Sequence, residues 1–430
     1  MKRYAFAALG VVAGFGAAVM LFPAAHSAAD NSAYKQLDLF GDAFERVRAN
    51  YVRPVSESEL VNAAIEGMVS SLDPHSSYMD AKAYADMKIQ TKGEFGGVGI
   101  EVTMEDGLVK VISPIDDTPA AKAGIKPGDY IAAINSTPVQ GLTLTDATDR
   151  MRGAPGSKVK LTVLRKGEKK PFDVSLTRAV VHVATVKFHR EGDIGYIRLT
   201  QFNEEAAPGV ERAVKSLQQQ IGPGIKGYIL DLRNNPGGLL DQAIDVSDDF
   251  LQGGQIVSTR GRHSDDNAKY DAHGGDITGG KPVIVLINAG TASASEIVAG
   301  ALQDDKRAKI LGMTSFGKGS VQTIIPLGAD RGALRLTTAR YYTPSGHSIQ
   351  ALGITPDIVV AQGDESAVKI AAQSEADLPG HLKGETPSKK ATQIIKPAPG
   401  KKYEDFQLSY ALDLMRGKST VMFVKSAAAD

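Results

Sequence analysis

Cysteine and tryptophan are both absent from this chain of 430 residues. The first absence excludes disulfides, thiolate catalysis and cysteine-ligated zinc, and it suits an oxidising compartment, where a stray thiol is a liability. No charge of either sign is in excess: Lys+Arg and Asp+Glu both number 49, so the formal net charge is zero. Nothing in that balance points to nucleic acid or to an anionic membrane surface. The eight histidines are scattered, with no HExxH pair, so neither a metal nor another cofactor is expected. What the chain does have is length, enough for two or three domains with more than one core.

Residues 1–29 read as an export signal. Lys2 and Arg3 supply the positive end, AFAALGVVAGFGAAVMLF the apolar run, and AAHSAA the small residues for cleavage after Ser27 or Ala29. The run is also near the length of a short membrane span, so an uncleaved inner-membrane anchor is the alternative. Either way a periplasmic or secreted location is expected.

From residue 30 to 94 apolar residues recur at helical steps, as at Leu37, Phe40, Phe44 and Val47, with a break at Pro74. Residues 95–179 alternate β-rich runs with turn signals at Asp106-Gly107 and Pro127-Gly128. Residues 180–365 alternate strands such as IKGYILDL and KPVIVLI with helices. From 366 to 430 the composition shifts to Gln, Ser, Lys and Pro, a linker, before YEDFQLSYALDLMRG forms an amphipathic helix expected to dock on a partner subunit. The expected fold class is α/β, α+β overall.

Two side chains stand out as chemistry. Ser293 lies where KPVIVLI turns into a helix, a place from which a hydroxyl can project past the carboxyl end of a sheet. Lys318 lies between Gly317 and Gly319, where nothing bulky hinders close backbone approach. A neutral lysine amine can take the proton of a serine hydroxyl once burial lowers its pKa from ~10.4. The spacing alone also fits a plainer reading, in which Ser293 and Glu296 form a helix capping box and Lys318 is a solvated loop residue. His347 and His273 are the other available bases, though both fall in segments that read as surface loops. Ser345 to Ser348, near Tyr342, are expected at the substrate channel.

TASASEIVAGALQD followed by SFGKGSVQ resembles the signature of the carboxy-terminal processing, or tail-specific, proteases, a Ser/Lys peptidase family. The resemblance runs from about Ala43 to Val360. It implies that Ser293 is the nucleophile, Lys318 the general base and Gln322 the residue that orients the lysine; Thr291 stands where many members carry serine. LDLRNNPGG resembles the family's second signature. Its Gly237 and Gly238 lack a Cβ and can approach a substrate carbonyl, so either one, paired with the N–H of Ala294, is a candidate oxyanion donor. GVGI, TPAAKAG and KPGD, in that order, resemble a PDZ domain. That implies backbone N–H groups of Val98, Gly99 and Ile100 facing a peptide's terminal carboxylate; Arg165 and Arg178 are further candidate contacts.

The family further implies a ClpP/crotonase-like core with the PDZ domain inserted ahead of it, and N-terminal helices that often contribute to dimers. Protein or peptide substrates with free, apolar C-terminal ends are expected, with a homodimer or higher oligomer, and an adaptor or activator protein as a further candidate partner. Two readings from other classes compete: a catalytically silent PDZ scaffold, and an acyl-transfer enzyme on a crotonase-type frame, for which no coenzyme A phosphate site is evident.

Overall fold

The computed structural model describes residues 27–328, 330–361, 374–385, 393–398, 401, 403–418 and 423–425. The expected export signal lies almost wholly outside them. Among the described residues no helix is long and apolar enough to cross a membrane.

The chain divides into two compact units, residues 1–68 and 69–430. The first holds helix α1 (Ser27–Asn50) and most of α2 (Glu57–Ser70). Arg48 joins them by pairing with Glu45 and Glu57. These helices bury little: Leu37, Leu39 and Phe40 are at least 50% exposed.

The second unit opens with strand β1 (Ser77–Met79) and helix α3 (Ala81–Lys92). The side chain of Asp80 accepts the Ala83 N–H at the start of α3, and Gly93, at φ +71°, closes its end, the usual pairing of a polar N-cap with a left-handed C-terminal glycine. Strand β2 (Glu94–Gly97) then leads into a β-rich domain. Its elements are β3 (Ile100–Glu105), β4 (Leu108–Pro114), α4 (Pro119–Lys122), β5 (Tyr130–Ile134), β6 (Thr137–Pro138), α5 (Leu144–Met151), β7 (Lys158–Leu164) and β8 (Phe172–Thr177). The sheet runs β3-β4-β5-β7-β8 with β6 beside β5. Asp106 and Gly107 both take positive φ and turn β3 into β4, as an Asp-Gly hairpin requires. Val109, Val111, Ile131, Leu161 and Val163 form a core separate from the rest of the unit. The chain leaves through β9 (Ala179–His182), which pairs antiparallel with β2.

The remaining elements alternate. They include β10 (Val186–Glu191), β11 (Ile194–Leu199), α6 (Ala206–Ile221), β12 (Gly227–Asp231), α7 (Leu240–Asp248), β13 (Gly254–Gly261), β14 (Ala268–Ala272), β15 (Val283–Ile287), α8 (Ala294–Asp304), β16 (Ala308–Gly312), β17 (Ser320–Pro326), β18 (Ala333–Tyr342), β19 (Ile358–Val359) and α9 (Phe406–Met415). One sheet runs β10-β11-β12-β15-β16-β19, parallel except for β10. Every residue of β12 and β15 is buried, which is why these strands read as continuous apolar runs. Their side chains alternate between faces. Leu230, Val285 and Ile287 meet α6, α7 and α8, while Ile229, Ile284 and Leu286 meet α9. The helix expected to dock on a partner subunit therefore docks on its own core, because Phe406 and Ala411 pack on an apolar sheet face with Ile229, Ile284 and Leu286. A second sheet runs β1-β18-β13-β14, with β17 on β18.

β12 and β15 are neighbours in register, Asp231 beside Leu286. The turns that follow them, one carrying Gly237 and Gly238 and the other Ser293, emerge side by side. The site is built there.

Candidate active site

Ser293 takes φ +55° and ψ −116°, a backbone conformation that costs a non-glycine residue about 1–3 kcal/mol and persists only where surrounding bonds hold it. The holding bonds are visible. Ala292 N–H and Ser295 Oγ both donate to the Asn235 carbonyl, at 3.0 Å each. Thr291 Oγ1 donates to the Leu232 carbonyl at 2.8 Å. Ser293 N–H donates to the Glu296 carboxylate at 2.8 Å.

Glu296 does more than cap a helix. It is fully buried and also accepts the Ser315 hydroxyl (2.5 Å), the Gly317 N–H (2.7 Å) and the Lys318 N–H (2.9 Å). One carboxylate thus ties the backbone of Ser293 to the backbone of Lys318. Burial pushes its pKa up to about 7 against the pull of those four donors. The capping-box geometry of Ser293 and Glu296 is present, and Ser293 also lines a cleft of about 780 Å³.

Lys318 lines the same cleft, and among the described residues its amine makes no hydrogen bond or ion pair. Burial and the Arg335 guanidinium push its pKa below the ordinary lysine value, and Glu375, Glu296 and Asp73 oppose them. The flanking glycines have a steric reason. A Cβ on Gly319 would lie 2.2 Å from the Gln350 N, and Gly317 takes φ +97°. The loop has a second anchor: Gly319 N–H donates to Gln350 Oε1 (3.1 Å), and Gln350 Nε2 donates to Glu375 (2.8 Å). Glu375 is buried and pairs with His75 at 2.8 Å, although its segment read as linker.

Gln322 sits at a register shift between β17 and β18, where a bulge can re-aim a side chain. It lines the cleft. Its Nε2 donates to Ser320 Oγ (2.9 Å) and Thr337 Oγ1 (3.3 Å) and not to Lys318. The two glycines differ. Gly237 N–H is taken by Asn235 Oδ1 at 2.9 Å, whereas the N–H groups of Gly238 and Ala294 have no acceptor among the described residues. Helix α3 supplies a wall of the cleft with Tyr84 and Met87, a contribution that the sequence reading missed; its Asp80 and Gly93 caps were the available signal. Ser345 and His347 bond to each other (2.7 Å), away from the cleft, and His273 is exposed beside Asp248. Residues 345–348, expected at the substrate channel, do not line this cleft.

In the β-rich domain Val98, Gly99 and Ile100 border a smaller groove of about 70 Å³, with Phe95, Met151 and Arg152. The Val98 carbonyl accepts Ala120 N–H, and the Gly99 carbonyl accepts Ile115 N–H and Thr118 Oγ1. The N–H groups of Val98 and Gly99 have no acceptor among the described residues. Arg165 is committed to Asp129 through two bonds of 2.7 Å. Arg178 is buried and donates to the carbonyls of Arg150, Met151 and Lys158. Both arginines brace the domain instead of facing the groove, because each already satisfies a buried acceptor set.

Ser293 and Lys318 line one cleft, and the β-rich domain carries a second, smaller groove. Residues 193–360 match peptidase family S41, residues 96–176 a PDZ domain, and residues 19–83 the N-terminal domain of the activating protease CtpB. A carboxy-terminal-processing protease of Bartonella bacilliformis is 55% identical over 91% of each chain. A carboxyl-terminal-processing protease of Synechocystis is 40% identical over 74% of this chain and 75% of its own. The carboxy-terminal processing protease CtpB of Bacillus subtilis is 35% identical over 84% and 76%. The chain belongs to the carboxy-terminal-processing proteases of peptidase family S41.

Proposed function

We propose that the chain is an envelope endopeptidase that takes proteins or peptides by their apolar C-terminal ends and cleaves them with Ser293 and Lys318. The observation that carries this reading is the Glu296 carboxylate, which holds the backbones of both residues at one cleft. Lys318, whose pKa burial and the Arg335 guanidinium lower, accepts the Ser293 hydroxyl proton in its neutral form as Ser293 Oγ attacks the scissile carbonyl. The N–H groups of Gly238 and Ala294 receive the developing oxyanion. Lys318 then returns the proton to the leaving amine, and water releases the acyl group. Gln322 donates to Ser320 and Thr337, which leaves its Oε1 available to accept from the lysine amine and orient it when that amine turns toward Gln322.

Capture of the substrate is assigned to the free N–H groups of Val98 and Gly99, together with that of Ile100, which face a terminal carboxylate. A peptide whose C-terminal carboxylate is amidated should bind at least tenfold more weakly than its free-acid counterpart, read by isothermal titration. It should also be cleaved with a correspondingly raised KM. Equal affinity for the two forms would remove the carboxylate loop from the scheme.

The exposed apolar stripe of α1, with Leu37, Phe40 and Val47, fits a surface covered by a second copy. The expected mass by sedimentation at micromolar concentration is that of a dimer or a larger assembly, and a purely monomeric mass would sink this part of the reading. Residues 1–29 would carry the chain out of the cytoplasm as a cleaved signal or an anchor.

A further inference from the structure

Helix α9 reaches the turn that carries Gly237 and Gly238 through one buried arginine. Arg233 is 6% exposed, and its guanidinium lies between two carboxylates. Nε and Nη2 donate to Asp231 (3.0 and 2.6 Å), while Nη1 and Nη2 donate to the two oxygens of Asp405 (2.8 and 2.6 Å). Gln407 Oε1 accepts a further bond from Nη1 at 3.1 Å, and Gln407 Nε2 donates to the Val360 carbonyl at 2.8 Å. Asp231 is wholly buried, accepts the Tyr196 hydroxyl at 2.7 Å and takes the Arg233 N–H at 2.9 Å. A guanidinium gripped bidentately on one edge has little freedom left.

The backbone that follows is the oxyanion turn. Arg233 directly precedes Asn234, which takes φ +57° and exchanges hydrogen bonds with the Asn288 side chain (2.9 and 3.0 Å). Asn235 comes next, with its carbonyl on Ala292 and Ser295 and its side chain on the Gly237 N–H. Each step from Asp405 to Gly238 is therefore a hydrogen bond or a peptide bond. Removing the Asp405 charge would leave Arg233 buried with one of its two close carboxylates gone, which frees the guanidinium to reorient.

We infer that Asp405 is a positioning residue for the oxyanion turn: the C-terminal helix clamps Arg233 and thereby sets the Gly238 N–H against Ser293. The inference rests on the reading of Gly238 and Ala294 as oxyanion donors. A helix that merely covers apolar surface would affect melting temperature alone; a clamp affects turnover.

The test compares the full chain with its Asp405→Asn, Asp405→Glu and Gln407→Ala forms on a peptide reporter, with Ser293→Ala as the blank. Asp405→Asn should lower kcat by about tenfold to a hundredfold, the scale for a misplaced group, with KM within about twofold and circular dichroism unchanged. Asp405→Glu, which restores the carboxylate, should recover much of that loss. Gln407→Ala removes one acceptor and leaves the carboxylate; it should lower kcat less with KM again held, and it decides the matter if Asp405→Asn does not fold. A folded Asp405→Asn with wild-type kcat and only a lower melting temperature overturns the clamp and leaves the oxyanion reading standing. A Ser293→Ala protein that cleaves like the wild type overturns the site itself, and the clamp with it.

Discussion

Replacing Lys318 by alanine should lower kcat by about 10⁴-fold or more, and Ser293→Ala should do the same, because in the proposed mechanism nucleophile and base act as one unit and neither works alone. KM for a tailed peptide reporter should move little, since the proposed scheme holds the terminal carboxylate in a separate domain. The two losses should not add: the double variant should be no worse than either single one. Cleavage that survived Lys318→Ala would move the base elsewhere, and no histidine lines the cleft to take it over. The pH profile carries the same logic. A base must be unprotonated, and burial and Arg335 lower the Lys318 pKa, so kcat/KM should rise with pH through that lowered value and level off above it. Arg335→Gln removes a repelling cation, raises the lysine pKa and should shift the acid limb to higher pH. A limb that stayed in place would mean that another group titrates there.

Gly238→Ala should cost about 10²–10³ in kcat, the usual loss when one oxyanion donor is removed. The reason is steric. Gly238 takes φ +149°, and an added Cβ would lie 2.0 Å from the Phe202 carbonyl oxygen. That contact is with backbone, and Phe202 is itself tied to the turn by Phe202 N–H to the Gly237 carbonyl and Leu239 N–H to the Phe202 carbonyl. The turn must therefore rotate, and the free N–H turns away from Ser293. Circular dichroism and the melting curve separate this loss from unfolding. A folded Gly238→Ala protein with kcat within threefold of wild type would assign the oxyanion to other donors.

Much of this site is legible in the sequence because its parts are local. Small residues after a buried strand mark a sharp turn, and Gly-Lys-Gly marks a lysine whose backbone sits close to something else. The parts that are not legible join distant segments. Glu296 reads as a helix cap, and its second duty toward Ser315, Gly317 and Lys318 exists only once β16 has returned the chain beside α8. Glu375 lies in a stretch whose composition reads as linker, yet it pairs with His75 from the start of the second unit. Helix α3 shows no strong apolar stripe, because it presents Tyr84 and Met87 to a cleft, not to a core. The C-terminal helix is recognisable as amphipathic, but periodicity says only that a face is apolar and never whose surface it covers.

The PDZ domain leaves the protease core through β2 and returns through β9, and those two strands pair over four residues, Glu94 with His182 through Gly97 with Ala179. Paired antiparallel residues lie about 4.5–5.5 Å apart. To the core, then, the whole binding domain is the loop of a hairpin, and its size and content place no strain on the ends. A recognition module of another specificity, with adjoining termini, could be spliced between Gly97 and Ala179 without moving Ser293 or Lys318. With capture and cleavage divided as proposed, the choice of substrate and the act of cutting are separately heritable: one can be redesigned, or diverge, while the other stays as it is.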